Sequence, residues 1–518
     1  MKYLRQTLTF AACIALTPFV AGAEEVTISS NDNAVSISGE LLSFDDDTYV
    51  LDTDIGQLRL SRSATKCTGA ACPQTTTNLE MSVAVTEPKT ASLLQTMVNG
   101  FASSRDLMGL SVPDQRGVVA RIDIQNLNTN TQAGTVTVSV QDADDTFGAL
   151  LNRQADLAIT STAVPASVAE RAVAQGGTDL RDVSRERIIA LDALVPIVHP
   201  NNPVRAISLE ELALIASGRI SNWSDLGGDN LPIRMLLPIE GSSTDTVFNE
   251  LVLEPNRVRL RRSAERAEST SQAVSVVSQD QTAITITNLS ETGSADVLPI
   301  RQSCGPLAYA TDFAIKAEEY PLSKRIFAYL DDGSQSASKR QFIDYISSPA
   351  AQALISNAGF IDQSIESQPI SLQGTRMTSA ILSASNNGTL GLVQNFSRDL
   401  ATAERLSTTF RFTSGSAQLD NKSLEDVQRM VSFLNSPAAR NRDILVIGFT
   451  DDVGRFDLNE RLALLRATGV RDALVSAVGG DALAGRMAVS SYGPLAPVGC
   501  NETADGRESN RRVEIWLR

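Results

Sequence analysis

A single histidine, His199, occurs in 518 residues. Multi-histidine metal sites are thereby excluded, and Ser-His-Asp chemistry would have to use that one residue. Aromatic residues are scarce at 5%, and there are only five cysteines. The basic stripe that a phosphodiester backbone requires is also missing. Lys and Arg number 45 against 60 Asp and Glu, a formal net charge of −15, so nucleic acid is excluded as a partner. Beyond the first 20 residues no stretch reaches the roughly 18 uninterrupted apolar residues of a spanning helix. What is present, 42% hydrophobic and 20% charged residues, is an ordinary globular composition. The length predicts about three domains.

Residues 1–23 read as a secretory signal peptide. Lys2 and Arg5 precede an apolar run from Leu8 to Val20, and Ala21-Gly22-Ala23 supplies a small-x-small cleavage site before Glu24. A lipoprotein signal on Phe10-Ala11-Ala12-Cys13 is disfavoured, because the apolar stretch before Cys13 is short and an apolar tail would follow it. The expected location is a bacterial-type periplasm, with no transmembrane segment in the mature chain. Four cysteines then remain. Cys67 and Cys72 flank a four-residue loop and are expected to pair, which stabilises by roughly 2 kcal/mol or less. Cys304 and Cys500 either pair, tying two domains together, or stay as two buried thiols.

Residues 24–85 alternate apolar and polar residues between Asp, Asn and Gly turns, as in Val26-Thr27-Ile28-Ser29 and Gln57-Leu58-Arg59-Leu60, and predict a small β-rich module. Its Asp45-Asp46-Asp47 run lacks the spaced ligands of a calcium loop and reads as a solvated turn. Residues 86–362 alternate short apolar strands (Leu157–Thr160, Ile188–Leu191, Ile233–Leu237) with helical stretches such as 208–217, opened by the capping box Ser208-x-x-Glu211. This pattern predicts an α/β domain with a mainly parallel sheet and ligands at the carboxyl ends of strands. Residues 363–400 read as a bridge, part linker and part helix. Residues 401–518 read as strand, helix, strand, helix, strand, strand, an α/β sandwich with helices on one face of a mixed sheet.

The block Gly218-Arg-Ile220-Ser-Asn222-Trp223-Ser-Asp225-Leu226-Gly227-Gly228, followed by Gly241-Ser242-Ser243-Thr244, resembles the phosphate-binding proteins of the type II periplasmic solute-binding fold. The resemblance extends to Cys304-Gly305-Pro306 and Tyr320-Pro321-Leu322. It implies two α/β lobes closing on a ligand held between them, with Ser242, Ser243 and Thr244 on one side and Ser161 or Thr162 on the other. The chain departs from the family where the anion should sit. Pro238 stands at the place of an arginine, Ser161 or Thr162 at the place of an aspartate, and two expected anion loops read Thr86-Glu87-Pro88-Lys89 and Asp142-Ala143-Asp144-Asp145. Carboxylates beside a phosphate oxygen repel it. The expectation is a domain that does not bind phosphate tightly, with Ser242-Ser243-Thr244 acting as a helix cap. The alternatives are a cationic or neutral solute in the cleft, or a scaffold for an envelope protein partner.

Gly448-Phe449-Thr450-Asp451-x-x-Gly454-x4-Asn459-x-x-Leu462-x3-Arg466-Ala467, with Asn510-Arg511-Arg512-Val513-Glu514, resembles the OmpA-like peptidoglycan-binding domain. Phe449 and Ala463 replace residues that are often His and Ser in that family. The resemblance implies that Asp451 takes the ammonium of a diaminopimelate stem peptide and Arg466 a carboxylate, with Thr450, Asn459 and Arg512 adding contacts. The spacing is compatible, since Asn459, Leu462 and Arg466 share one helical face. This segment is neutral, with 15 basic and 15 acidic residues, so the acidity lies upstream.

The expected function is that of a non-catalytic, cofactor-free periplasmic protein, associated with the cell wall and outer membrane. It binds peptidoglycan and presents a divergent phosphate-binding-protein-like domain. The alternative is a working phosphate or anion receptor of an ABC importer, tethered to the wall.

Overall fold

The computed structural model describes residues 25–518 apart from 31–34, 45–47, 62–64, 70, 73–77, 116, 128, 262–263, 332, 334–335, 388, 413–417 and 479–480. The expected leader at 1–23 and the Asp45-Asp46-Asp47 turn lie outside these residues. The chain divides into two compact units, 1–77 and 78–518.

In the first unit five antiparallel strands form one sheet, with Glu25–Ser30 between Ser36–Phe44 and Thr65–Thr68. Period-2 alternation turns Val26, Ile28, Tyr49 and Leu51 into a small core. Cys67 and Cys72 are disulfide-bonded. The expected module boundary at residue 85 is corrected. Leu79–Val85 is no edge of this module but an interior strand of the next unit, parallel to Leu157–Thr160 on one side and to Thr131–Val140 on the other.

The second unit opens with an eleven-stranded sheet among the described residues. The expectation of a mainly parallel sheet is also corrected. Parallel pairing is confined to two blocks, the three strands just named and Arg234–Leu237 between Ala283–Asn288 and Glu265–Arg266. Between the blocks run two antiparallel strands. Glu186–Val198, buried along most of its length, pairs with Ser323–Leu330 through residues 186–193 and with Ala283–Asn288 through residues 194–198. It therefore serves both lobes. Within each block the carboxyl ends of the parallel strands lie side by side, which brings Glu87, Ser161 and Asp142 to one edge and Pro238 and Asn288 to another. Ser208 and Glu211 make the expected capping box.

The C-terminal sheet has the order Ser367–Pro369, Glu404–Arg411, Arg512–Leu517, Ile444–Phe449, Met487–Gly493. Helices Asn421–Leu434 and Phe456–Val478 cover one face. Two further helices, Gly374–Asn387 and Leu390–Leu400, pack Ala380, Ala384, Phe396 and Leu400 against Leu445, Ile447, Phe449 and Trp516 on the other. Residues 363–400 are thus no linker. They complete the C-terminal domain with an edge strand and a second helical layer, which is why the sheet's central strands are buried on both faces.

The two domains of this unit are joined by buried charge. Glu514, fully enclosed, bonds Arg512 Nε at 2.6 Å and Arg376 Nη1, with Arg405 Nε at 3.5 Å. Arg376 and Arg405 also reach Glu319 of the preceding domain, at 2.7 and 2.5 Å. Burial raises the Glu319 carboxyl, but Arg405 and Arg376 outweigh this and hold it at about 2. Glu318 takes Arg325 at 2.6 Å and Arg411 at 3.0 Å, and Arg325 reaches Asp420 at 2.9 Å. Cys304 and Cys500 form a disulfide across the same join, which resolves the two readings the sequence left open.

Glu514→Ala leaves three buried guanidinium groups without their shared carboxylate, and a loss of about 3–5 kcal/mol is expected in urea unfolding of the full chain. The exposed Arg121–Asp123 pair supplies the contrast, since Arg121→Ala is expected to cost no more than about 1 kcal/mol.

Candidate functional site

Two places gather functional side chains. The first lies at the carboxyl end of Ile444–Phe449. Gly448 sits so close to the following helix that a Cβ there would stand 2.0 Å from the Ala463 carbonyl oxygen. A glycine facing a buried alanine therefore lets the helix Phe456–Val478 lie directly on the strand. This contact brings Asn459 and Arg466 over the turn at residues 450–454, where Gly454 has φ of 97°.

Asp451 Oδ2 accepts from Arg511 Nη1 at 2.8 Å, and Oδ1 accepts from the Val453 N–H at 3.1 Å. Asn459 Nδ2 donates to the carbonyls of Asp451 and Val453, at 3.3 and 3.1 Å, and so fixes the turn. Arg466 is buried against the Phe412 ring, 5.1 Å from its centroid. Its pKa is lowered by burial and by the neighbouring Arg511, and Asp451 opposes this. Two guanidinium groups thus share the neighbourhood of Asp451, an arrangement that a further carboxylate would relieve. Thr450 is buried beside them, with no hydrogen-bond partner for its hydroxyl among the described residues.

Four of the expected residues, Thr450, Asp451, Asn459 and Arg466, come together. Arg512 does not, and its assignment to the pocket is corrected. It is fully buried, spent on Glu514 and the Ala496 carbonyl, with its guanidinium 4.1 Å from the Phe449 ring centroid. Arg511, which the sequence reading passed over, ends the helix Ala504–Asn510 just before this strand and holds the place on Asp451. Phe449 belongs to the packing of the second helical layer, 6.3 Å from Phe396 between ring centroids.

The second place is the cleft between the parallel blocks. Ser242 caps the short helix Ser243–Phe248, accepting from the Asp245 N–H at 3.2 Å, as the cap reading expected. Thr162 is occupied with Thr160 at 3.0 Å. Thr244 is buried nearby. Ser161 and Ser243 converge on one acceptor. Ser161 donates to Glu87 Oε1 at 3.1 Å, and Ser243 donates to the same oxygen. Lys324 Nζ lies 3.8 Å from it and donates to Asn288 Oδ1 at 2.6 Å. Pro238, at the place of the expected arginine, offers its carbonyl to Arg266 Nη1 at 2.8 Å, and that nitrogen also meets Asp245 at 3.0 Å. Asp142 caps its own helix.

The sequence reading named Glu87 only as one acidic loop residue. Lys324 and Asn288, on strands remote in sequence, carried no motif that would have found them. The cleft is crowded with negative charge. Burial, with a contribution from Glu87, raises the Asp192 carboxyl to about 6 despite Lys324 and the hydroxyl of Ser290 at 3.0 Å. Burial also raises Glu291, which accepts from Asn288 Nδ2 at 2.7 Å.

A raised folded-state pKa means that ionised Asp192 costs stability above pH 6, a cost that fades as the pH falls towards the unfolded value. Asp192→Asn is expected to raise the melting temperature by several degrees at pH 7.5, with the gain vanishing by about pH 4. Paired thermal melts across that range check it.

Comparison with known proteins agrees with this division. The PBP superfamily domain is matched over residues 122–350, and the OmpA family over residues 411–511. The chain is 22% identical over 249 residues to the phosphate-binding protein PstS of Borreliella burgdorferi, covering 45% of this chain and 81% of that one. It is 33% identical over 112 residues to the lipoprotein YfiB of Escherichia coli, covering 22% of this chain and 68% of that one. A phosphate ABC transporter substrate-binding protein of Clostridium perfringens, solved with bound phosphate, aligns with 55% of this chain and 99% of its own at 18% identity, TM-score 0.42. The chain belongs to the OmpA family through its C-terminal domain, to which it joins a PstS-like domain of the PBP superfamily.

Proposed function

We propose that this chain is a non-catalytic periplasmic protein that binds peptidoglycan through its OmpA domain and holds a divergent phosphate-binding-protein-like domain in fixed register with it. The observation that carries the reading is the pocket at Asp451. A carboxylate is presented at a strand end beside the guanidinium groups of Arg511 and Arg466, in a turn fixed by Asn459. A diaminopimelate side chain carries an ammonium and a carboxylate on one carbon, and such a pocket answers both charges. An isolated structural ion pair would contribute too little to account for a buried and a half-buried arginine at one aspartate.

A second reading, a wall-tethered receptor for an anion importer, is favoured by the relative named PstS and by the retained hydroxyls of Ser242 and Thr244. Pro238 and the carboxylates of Glu87, Asp192 and Glu291 oppose it. Calorimetry with inorganic phosphate separates the two, since micromolar or tighter binding by the wild-type chain would establish the receptor.

For the wall, co-sedimentation of the full chain with purified peptidoglycan is the measurement. Asp451→Ala and Arg511→Ala are each expected to weaken binding by roughly 10- to 100-fold, the value of one or two charge-assisted bonds. Unchanged sedimentation of both variants would overturn the assignment.

A further inference from the structure

We propose that the cleft of the PstS-like domain is an oxyanion site filled in cis, with the Glu87 carboxylate in the place of a tetrahedral oxyanion and the two lobes latched upon it. The inference rests on the divergent reading of this domain given above and extends it to a ligand class and a latch.

Glu87 ends the turn after Leu79–Val85 and precedes the helix Pro88–Ser103, yet its side chain makes no cap for that helix. It turns inward and is 8% exposed. One oxygen, Oε1, gathers three groups of different origin. Ser161 follows a neighbouring strand of the same lobe, Ser243 opens a helix of the opposite lobe, and Lys324 stands on one of the strands between them. Two hydroxyls and an ammonium around one oxygen are what an oxyanion would receive in the same space.

A purely stabilising role explains this poorly. Replacing a buried ion pair by apolar residues of similar volume is often neutral or favourable, so burial of Glu87 and Lys324 is no economical way to hold two lobes together. The surroundings argue further for mutual exclusion. Asp192 and Glu291 already stand near Lys324, and Glu87 contributes to the upward push on both carboxyls. A free anion entering beside the Glu87 carboxylate would add another negative charge at close range in a dry space. The anion and Glu87 are therefore competitors for Ser161, Ser243 and Lys324. Removing the carboxylate frees all three.

The test uses the full chain as wild type, Glu87→Ala and Glu87→Gln. Each is titrated with inorganic phosphate and with sulfate by calorimetry, and amide exchange is followed over Gly241–Thr246. The wild type is expected to give no saturable heat up to about 1 mM anion, and Glu87→Ala to bind phosphate or sulfate at least tenfold more tightly. Without anion the segment should exchange faster in Glu87→Ala than in wild type, and slow again when the anion is added. Glu87→Gln keeps the shape without the charge, so a gain of anion binding in it reports the removed charge even where the smaller variant fails to fold. Micromolar binding by the wild type would overturn the divergent reading itself. Variants that match the wild type in both exchange and titration would overturn the Glu87 assignment alone and leave that reading standing.

Discussion

The enclosed carboxylate of Glu514 is the charge on which the architecture of residues 78–518 turns. It lies on a strand of the C-terminal sheet, yet the arginines that neutralise it, Arg376 and Arg405, also neutralise Glu319 of the preceding domain. Glu319 cannot ionise comfortably unless the two domains are in place, because both of its arginines belong to the C-terminal domain, and those arginines need Glu319 as well as Glu514 to balance their charge. The join is thereby all or nothing. Surface pairs would have allowed the domains to swing, whereas a shared buried network has one satisfied arrangement.

That rigidity changes what the individual sites can do. The Asp451 pocket and the Glu87 cleft sit on the two different domains that this join connects. Under the proposed function the chain does more than tether, because the PstS-like domain is fixed by this network against the OmpA domain. The 363–400 segment contributes by packing as a second helical layer in place of a flexible spacer.

Much of the C-terminal domain was legible in the sequence because its determinants are local or evenly spaced. Gly448, Thr450, Asp451 and Asn459 fall within one strand, one turn and one helix, and the helix period alone puts Asn459 and Arg466 on a common face. The choice between Arg511 and Arg512 was not legible in that way. Adjacent arginines look alike in sequence, and the boundary between the helix that Arg511 caps and the strand that Arg512 opens decides which meets the pocket and which meets Glu514. The cleft was harder still. Its lining comes from residues 87, 161, 243, 288 and 324, brought together by a sheet whose strand order departs from chain order. The acidity of the loops was visible, but the direction in which Glu87 turns was set by tertiary hydroxyls that no local pattern announces. The same limit explains the sheet. Apolar strands alternating with helices suggest parallel pairing, while the long Glu186–Val198 strand, equally apolar, pairs antiparallel on both sides.

The two disulfides differ in one respect that bears on how the chain reaches its native pairing. Four cysteines admit three pairings, and only one of them is native. Cys304 waits 196 positions for its partner, whereas Cys67 and Cys72 are five apart. Under oxidising conditions the short bridge closes far more readily than one that spans 196 positions. It thereby removes from circulation the two thiols that Cys304 could otherwise capture in error. A bond that stabilises little by itself then narrows the pairings open to the distant one, which closes across the same join as the Glu514 network.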